Sequence, residues 1–170
     1  MPVKEILLLG NPALYTVCTK IKKEELPHIS TVVQDLHDTL LHFRDIHNTG
    51  RAIAAPQIGV MKQLIYMYID TPTVFINPNI KFTGNETITL WDDCMSFPHL
   101  LVKVIRNRYC TVHYKDLQWK DHSITYQDDL SELIQHEYDH LNGILAVSRA
   151  IDKRSFCLRT QKKFIETKEV

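Results

Sequence analysis

A chain of 170 residues, 44 % apolar and 24 % charged, is long enough for one domain (1–170) with a sizeable core. Its 20 lysines and arginines balance 20 aspartates and glutamates, so no basic surplus points to nucleic acid or an anionic membrane surface. No apolar run approaches the ~20 residues of a membrane span, and the run before Gly10 is too short for a signal peptide. Cys18, Cys94, Cys110 and Cys157 are widely spaced with no CxxC pair, which points to reduced thiols and a cytoplasmic setting.

In chain order, the first predicted element is a helix over 29–47. Ile29, Val32, Val33, Leu36, Leu40, Phe43 and Ile46 make a helical stripe. Thr31 with Gln34 resembles a capping box, and Gly50 closes the segment. His37, His42 and His47 read as solvated polar positions. From 63 to 127 the pattern changes to short β-rich runs: QLIYMYI, VFINP, ITLW, LLVKVI, YCTVHY and HSITY. Helical character returns at 129–142 and, less clearly, at 152–166. Helix, many strands, then helix argues an α+β fold with mostly antiparallel sheets. No Rossmann fingerprint or P-loop is present. Cys18, Cys110 and Cys157 read as small buried hydrophobes.

The stretch IQHEYDHLNG (134–143) carries the chemistry. Residues i and i+4 of a helix stand about 40° apart and roughly 6 Å along the axis, so His136 and His140 can share one ion. Glu137 is turned about 100° from His136 and can reach a water without being a ligand. Asp128 or Asp129 is placed to cap the helix start and Gly143 its end. A catalytic site also needs a third ligand and an open position. Asp139 either orients its neighbours or faces solvent.

Three segments, GRAIAAPQIG (50–59), DDCMS (92–96) and QHEYDH (135–140), resemble in order and spacing the three motifs of peptide deformylases. Those read G-x-G-Φ-A-A-x-Q-Φ-G, E-G-C-L-S and Q-H-E-x-D-H. GNPAL (10–14), FINPNI (75–80) and Arg106 also fall where that family has similar residues. The resemblance implies sheets packed around a central helix bearing HEYDH, with an N-terminal helix and a short C-terminal one. It implies Cys94 as third ligand beside His136 and His140, and one divalent ion. Fe²⁺ is the family's usual metal; Zn²⁺, Ni²⁺ or Co²⁺ can occupy similar donors. It implies Glu137 as the base, with the Gln57 amide and the Met95 backbone N–H as oxyanion donors. Arg106 is then placed to order the nearby loop through a carboxylate. The substrate would be an N-formylated peptide or nascent chain, formylated on its first methionine and met at the ribosome.

Four departures separate the chain from that pattern. Ala52 stands where the family has a second loop glycine. Asp92-Asp93 replaces Glu-Gly before the cysteine, and Met95 replaces leucine after it. Arg51 and Glu132 occupy two positions that are aliphatic in the family's pocket for the first substrate side chain. With Gly50 and Ala52 they are the candidate substrate contacts, and Arg51 and Glu132 are expected to pair across the pocket rim. Glu132 is also placed to join Asp129 in a helix cap. Two other readings stay open: a catalytically silent deformylase-like binding protein and a zinc endopeptidase.

Overall fold

The computed structural model describes residues 3–165. Helix α1 spans Leu26–His47, with Pro27 in its first turn, where a missing N–H costs nothing. Thr31 therefore lies inside the helix, and no capping box forms with Gln34, whose amide donates to Asp38 at 2.8 Å. The helix ends at Asn48 rather than Gly50. Asn48 takes the left-handed conformation, φ 53°, and its N–H closes on the Arg44 carbonyl at 2.8 Å. Ile29, Val32, Leu36, Leu40 and Phe43 are buried against Ile53, Leu64, Tyr66 and Ile76. His42 and His47 are exposed, but His37 is half-buried and bonds the Tyr66 hydroxyl at 2.6 Å.

The strands are β1 (Ala52–Ala54), β2 (Leu64–Tyr68), β3 (Pro72–Phe82), β4 (Thr87–Asp93), β5 (Leu100–Asn107), β6 (Tyr109–Lys115), β7 (Asp121–Gln127) and β8 (Phe156–Leu158). Strands β2 to β7 fall on the six predicted runs. β1 and β8 have three residues each, too few to show a period of two. One sheet has the order β1-β2-β3-β6-β7 and the other β4-β5-β8, with every pairing antiparallel. β8 takes the first half of the 152–166 segment, so the C-terminal helix is a short 3-10 turn over Arg159–Phe164. Cys18 and Cys110 are buried, whereas Cys157 is half-exposed because β8 is a sheet edge.

Helix α2 spans Asp128–Leu141 and packs against strands of both sheets. Neither Asp128 nor Asp129 caps it. Gln127 holds the cap position without a side-chain bond, and the Asp128 carboxylate instead accepts from Arg108 at 2.8 Å. Glu132 accordingly joins no cap. No helix among the described residues is long and apolar enough to cross a membrane.

An N-terminal strap ties these parts together. The Leu7 N–H donates to the Gln57 carbonyl at 2.8 Å, the Leu9 N–H to Ser96 at 2.8 Å and the Cys18 N–H to Leu141 at 2.9 Å. At the end of α2, Gly143 has φ 68°, and a Cβ there would sit 2.4 Å from the Tyr15 carbonyl oxygen. Gly143→Ala is expected to cost about 3 kcal/mol, combining left-handed strain with backbone overlap. Urea denaturation measures it; a loss under about 0.5 kcal/mol would mean the strap yields freely.

Candidate metal centre and cleft

Ten of the fourteen residues of α2 are buried, and seven of these are polar: Ser131, Glu132, Gln135, His136, Glu137, Asp139 and His140. So much buried polarity is costly unless each group meets a partner or a ligand. Ser131 and Gln135 meet structural partners. The Ser131 hydroxyl donates to the Asn107 carbonyl at 2.9 Å, and the Gln135 amide bonds both the N–H and the carbonyl of Asn107. Of the remaining polar residues, Asp139 meets Arg106 and Arg149, and the others turn toward β4 and the cleft.

His136 presents Nδ1 to the Asp92 carboxylate at 2.8 Å, which leaves Nε2 for the opposite side. His140 Nε2 stands 3.3 Å from Cys94 Sγ. The ligand atoms of Cys94, His136 and His140 are buried and lie within 4.8 Å of one another. Nitrogen at ~2.0 Å and sulfur at ~2.3 Å from a tetrahedral ion stand roughly 3.5 Å apart, so these donors fit one ion. Asp92, Glu132 and His136 form a second close group. Asp92 there is already engaged by Arg106 and by His136 Nδ1.

Cys94 follows β4 directly. Its sulfur receives the Ser96 N–H at 3.4 Å and the Gln57 amide at 3.6 Å. Gln57 sits in the 3-10 turn Ala55–Ile58, where its oxygen accepts from the Ala54 N–H at 2.9 Å. That bond turns its NH₂ toward Ser96, 3.2 Å away, and toward the cysteine.

A buried ion network stands behind the histidines. Arg106 is 4 % exposed. It donates to Asp92 at 3.1 Å and, through its other terminal nitrogen, to Asp139. Arg149 grips Asp139 from the other side at 2.6 and 3.0 Å. Asp139 is thus an orienting group rather than a surface residue. Burial alone would raise the Asp92 carboxyl, but His136 and Arg106 hold it below the usual carboxylate range. Burial opposes a charge on His136 too, yet Asp92 and Cys94 hold its pKa well above the ordinary histidine value. Burial and the neighbouring His136 push His140 well below it.

Glu137 is buried, and its Oε2 has no hydrogen-bond partner. Burial pushes its pKa up to about 7. It lines a cavity of about 50 Å³ whose wall also carries every other sequence candidate except His140. Ala52 reaches that wall from β1, and Met95 from the turn after Cys94, its side chain packed into the core under α1. Arg51 and Glu132 both face the cavity and form the expected ion pair, a long one because Arg51 is shared with Asp129. Arg51 donates to Asp129 at 2.9 Å and stands 3.9 Å from Glu132. Phe43, Leu133 and Arg159 line the cavity without any sequence signal. Arg159 pairs with the exposed Asp93 at 2.6 Å, which draws that charge away from the cysteine.

A family model described as polypeptide deformylase matches residues 3–156. The chain belongs to the polypeptide deformylase family. It is 34 % identical to the peptide deformylase of Pseudothermotoga lettingae over 96 % of this chain and 91 % of that one. The structure resembles a Synechococcus elongatus peptide deformylase in complex with actinonin, with a TM-score of 0.81 and 28 % identity, over 90 % of this chain and 81 % of that one. It also resembles a Met-Ala-Ser-bound class I type b deformylase from Acinetobacter baumannii, with a TM-score of 0.79 and 27 % identity, over 87 % and 98 %.

In this deformylase, removing Arg106 exposes the energetics of the network. Arg106→Leu leaves the buried Asp92 with His136 alone and Asp139 with one cation of two. A cost of about 3–5 kcal/mol is expected by urea denaturation. Arg149→Leu, with its side chain 44 % exposed, is expected to cost well under half of that. Equal losses would show that Arg106 has no special place.

Proposed function

We propose that the chain hydrolyses the N-formyl group of formylated peptides, as a single metal-dependent domain acting in the cytoplasm, with nascent chains at the ribosome among its substrates. The observation that best supports this is one cleft where Cys94, His136 and His140 converge beside the unpaired Glu137 carboxylate. Two imidazoles and a thiolate suit Fe²⁺, as well as Zn²⁺, Ni²⁺ or Co²⁺. A divalent ion held there would polarise a carbonyl and lower the pKa of a water.

The protein's own groups would do the rest. Glu137 takes a proton from the attacking water and delivers it to the leaving amine. Oxygen bonds to the formyl carbon, the C–N bond breaks, and formate and a free peptide amine depart. The Gln57 NH₂, held by Ala54, and the Met95 N–H would donate to the oxyanion. The Met-Ala-Ser bound by the Acinetobacter relative is the peptide such a reaction leaves behind.

Anaerobically purified protein is expected to carry one divalent ion per chain by elemental analysis and to release formate from formyl-Met-Ala-Ser. Cys94→Ala should lose the ion, and unchanged metal content would remove Cys94 from the ligand set. Glu137→Gln should keep the ion and slow turnover by at least ~10²-fold. Near-normal turnover with metal retained rejects the base.

Gln57→Ala is expected to lower kcat by ~10²-fold through loss of an oxyanion donor. A change confined to KM would make Gln57 a binding group instead.

A further inference from the structure

The Glu132 carboxyl is an unexplained feature of the cleft. The side chain is 9 % exposed, and neither oxygen accepts a hydrogen bond among the described residues. The nearest cation is Arg51 at 3.9 Å, and that guanidinium is committed to Asp129 at 2.9 Å. Glu132 lines the same cavity as Cys94, His136 and Glu137, so a carboxylate held only by a long ion pair, with no hydrogen bond, borders the space a substrate enters. A largely buried carboxyl with no hydrogen bond and one distant cation is better satisfied when something that enters the cavity bonds it.

Position says which part of the substrate that is. Glu132 lies one helical turn before His136, about 6 Å along the helix axis, and its carboxyl is within 4.8 Å of a His136 ring nitrogen. In a formyl peptide, the first Cα is two bonds from the formyl carbon, about 2.5 Å away. A first side chain of two to four further bonds then spans the remaining distance. Its tip would meet Glu132, with Leu133 and Phe43 along its stem.

We propose that this cleft selects formyl peptides whose first side chain ends in a neutral hydrogen-bond donor, with Glu132 as the residue that reads it. The proposal rests on the deformylase reading and names its substrate class: first residues such as Gln, Asn, Thr or Ser, in preference to Met. An apolar tip shuts water away from the carboxyl and leaves it only the distant Arg51, whereas a hydroxyl or carboxamide bonds it directly. A site built to bond a substrate donor discriminates strongly against the isostere lacking it. Arg51, 3.9 Å from Glu132, repels a cationic tip, which is why the donor is neutral.

The test is a kcat/KM series on formyl-Xaa-Ala-Ser peptides with matched first residues, Gln against Met and Thr against Val, with Lys as the cationic arm. The same pairs without the formyl group, Gln-Ala-Ser against Met-Ala-Ser, are compared by calorimetry on the metal-loaded protein. The parent is expected to favour Gln over Met and Thr over Val by at least ~10-fold. Glu132→Leu should reverse both preferences, with Arg51 still held by Asp129, and Glu132→Gln should keep them. Ratios that are the same in parent and Glu132→Leu overturn the proposal while formate release leaves the deformylase reading intact. A preference for Lys over Gln also overturns it. Formate from no peptide, with the calorimetric preference present in the parent and lost in Glu132→Leu, removes the deformylase reading and upholds the Glu132 assignment.

Discussion

The guanidinium of Arg106 is the constraint on which the site depends. It is held between Asp92 at the end of β4 and Asp139 on α2, away from water. Taking a cation and two carboxylates out of water is expensive, so the arrangement is tolerable only with the whole set in place. Arg149 completes it at the surface end. Once Asp92 is fixed, the His136 ring is fixed with it, because Asp92 takes Nδ1. Asp139 also anchors the end of α2: its carbonyl accepts from Asn142 at 2.9 Å and Ile144 at 3.0 Å. One side chain from β5 thus sets the angle of the helix and the orientation of a candidate ligand.

This division of labour explains the composition of α2. A helix buried on nearly all sides would ordinarily be apolar. Here the apolar duties fall on Leu133, Ile134 and Leu141, while Ser131 and Gln135 lock the helix to β5. His136 and Glu137 are free to face the cleft, and His140 to face Cys94, because those other contacts carry the packing. The candidate ligands come from segments more than forty residues apart, and the unfolded chain does not bring them together. Occupancy of the triad and folding of the chain are therefore linked.

Much of this was legible in the residues themselves. The spacing of His136 and His140 implied one shared face, and alternating apolar runs located β2 to β7. The resemblance of three short motifs brought Cys94 and Gln57 to the same place. What stayed hidden has a physical reason. β1 and β8 are three residues long, below the length at which a period shows. The start of α1 depended on how Pro27 is used, and its end on Asn48 accepting a positive φ, neither of which the apolar stripe reports. Arg51 and Asp129 are 78 residues apart. Their pairing, like that of Arg159 with Asp93, follows from sheet register and loop path, which no local pattern encodes.

The strap over residues 7–18 gives synthesis a direction problem. Its hydrogen-bonding partners, at Gln57, Ser96 and Leu141, leave the ribosome in that order, and the last arrives about 120 residues after Cys18. At about 5–20 residues per second, the segment waits roughly 6–25 s for its final acceptor. During that interval Leu7 lacks part of the core it joins, whereas Leu8 and Leu9 stay exposed even in the folded protein. Closure of the strap on α2 is then the last event, so the cleft is completed only when nearly the whole chain has been made.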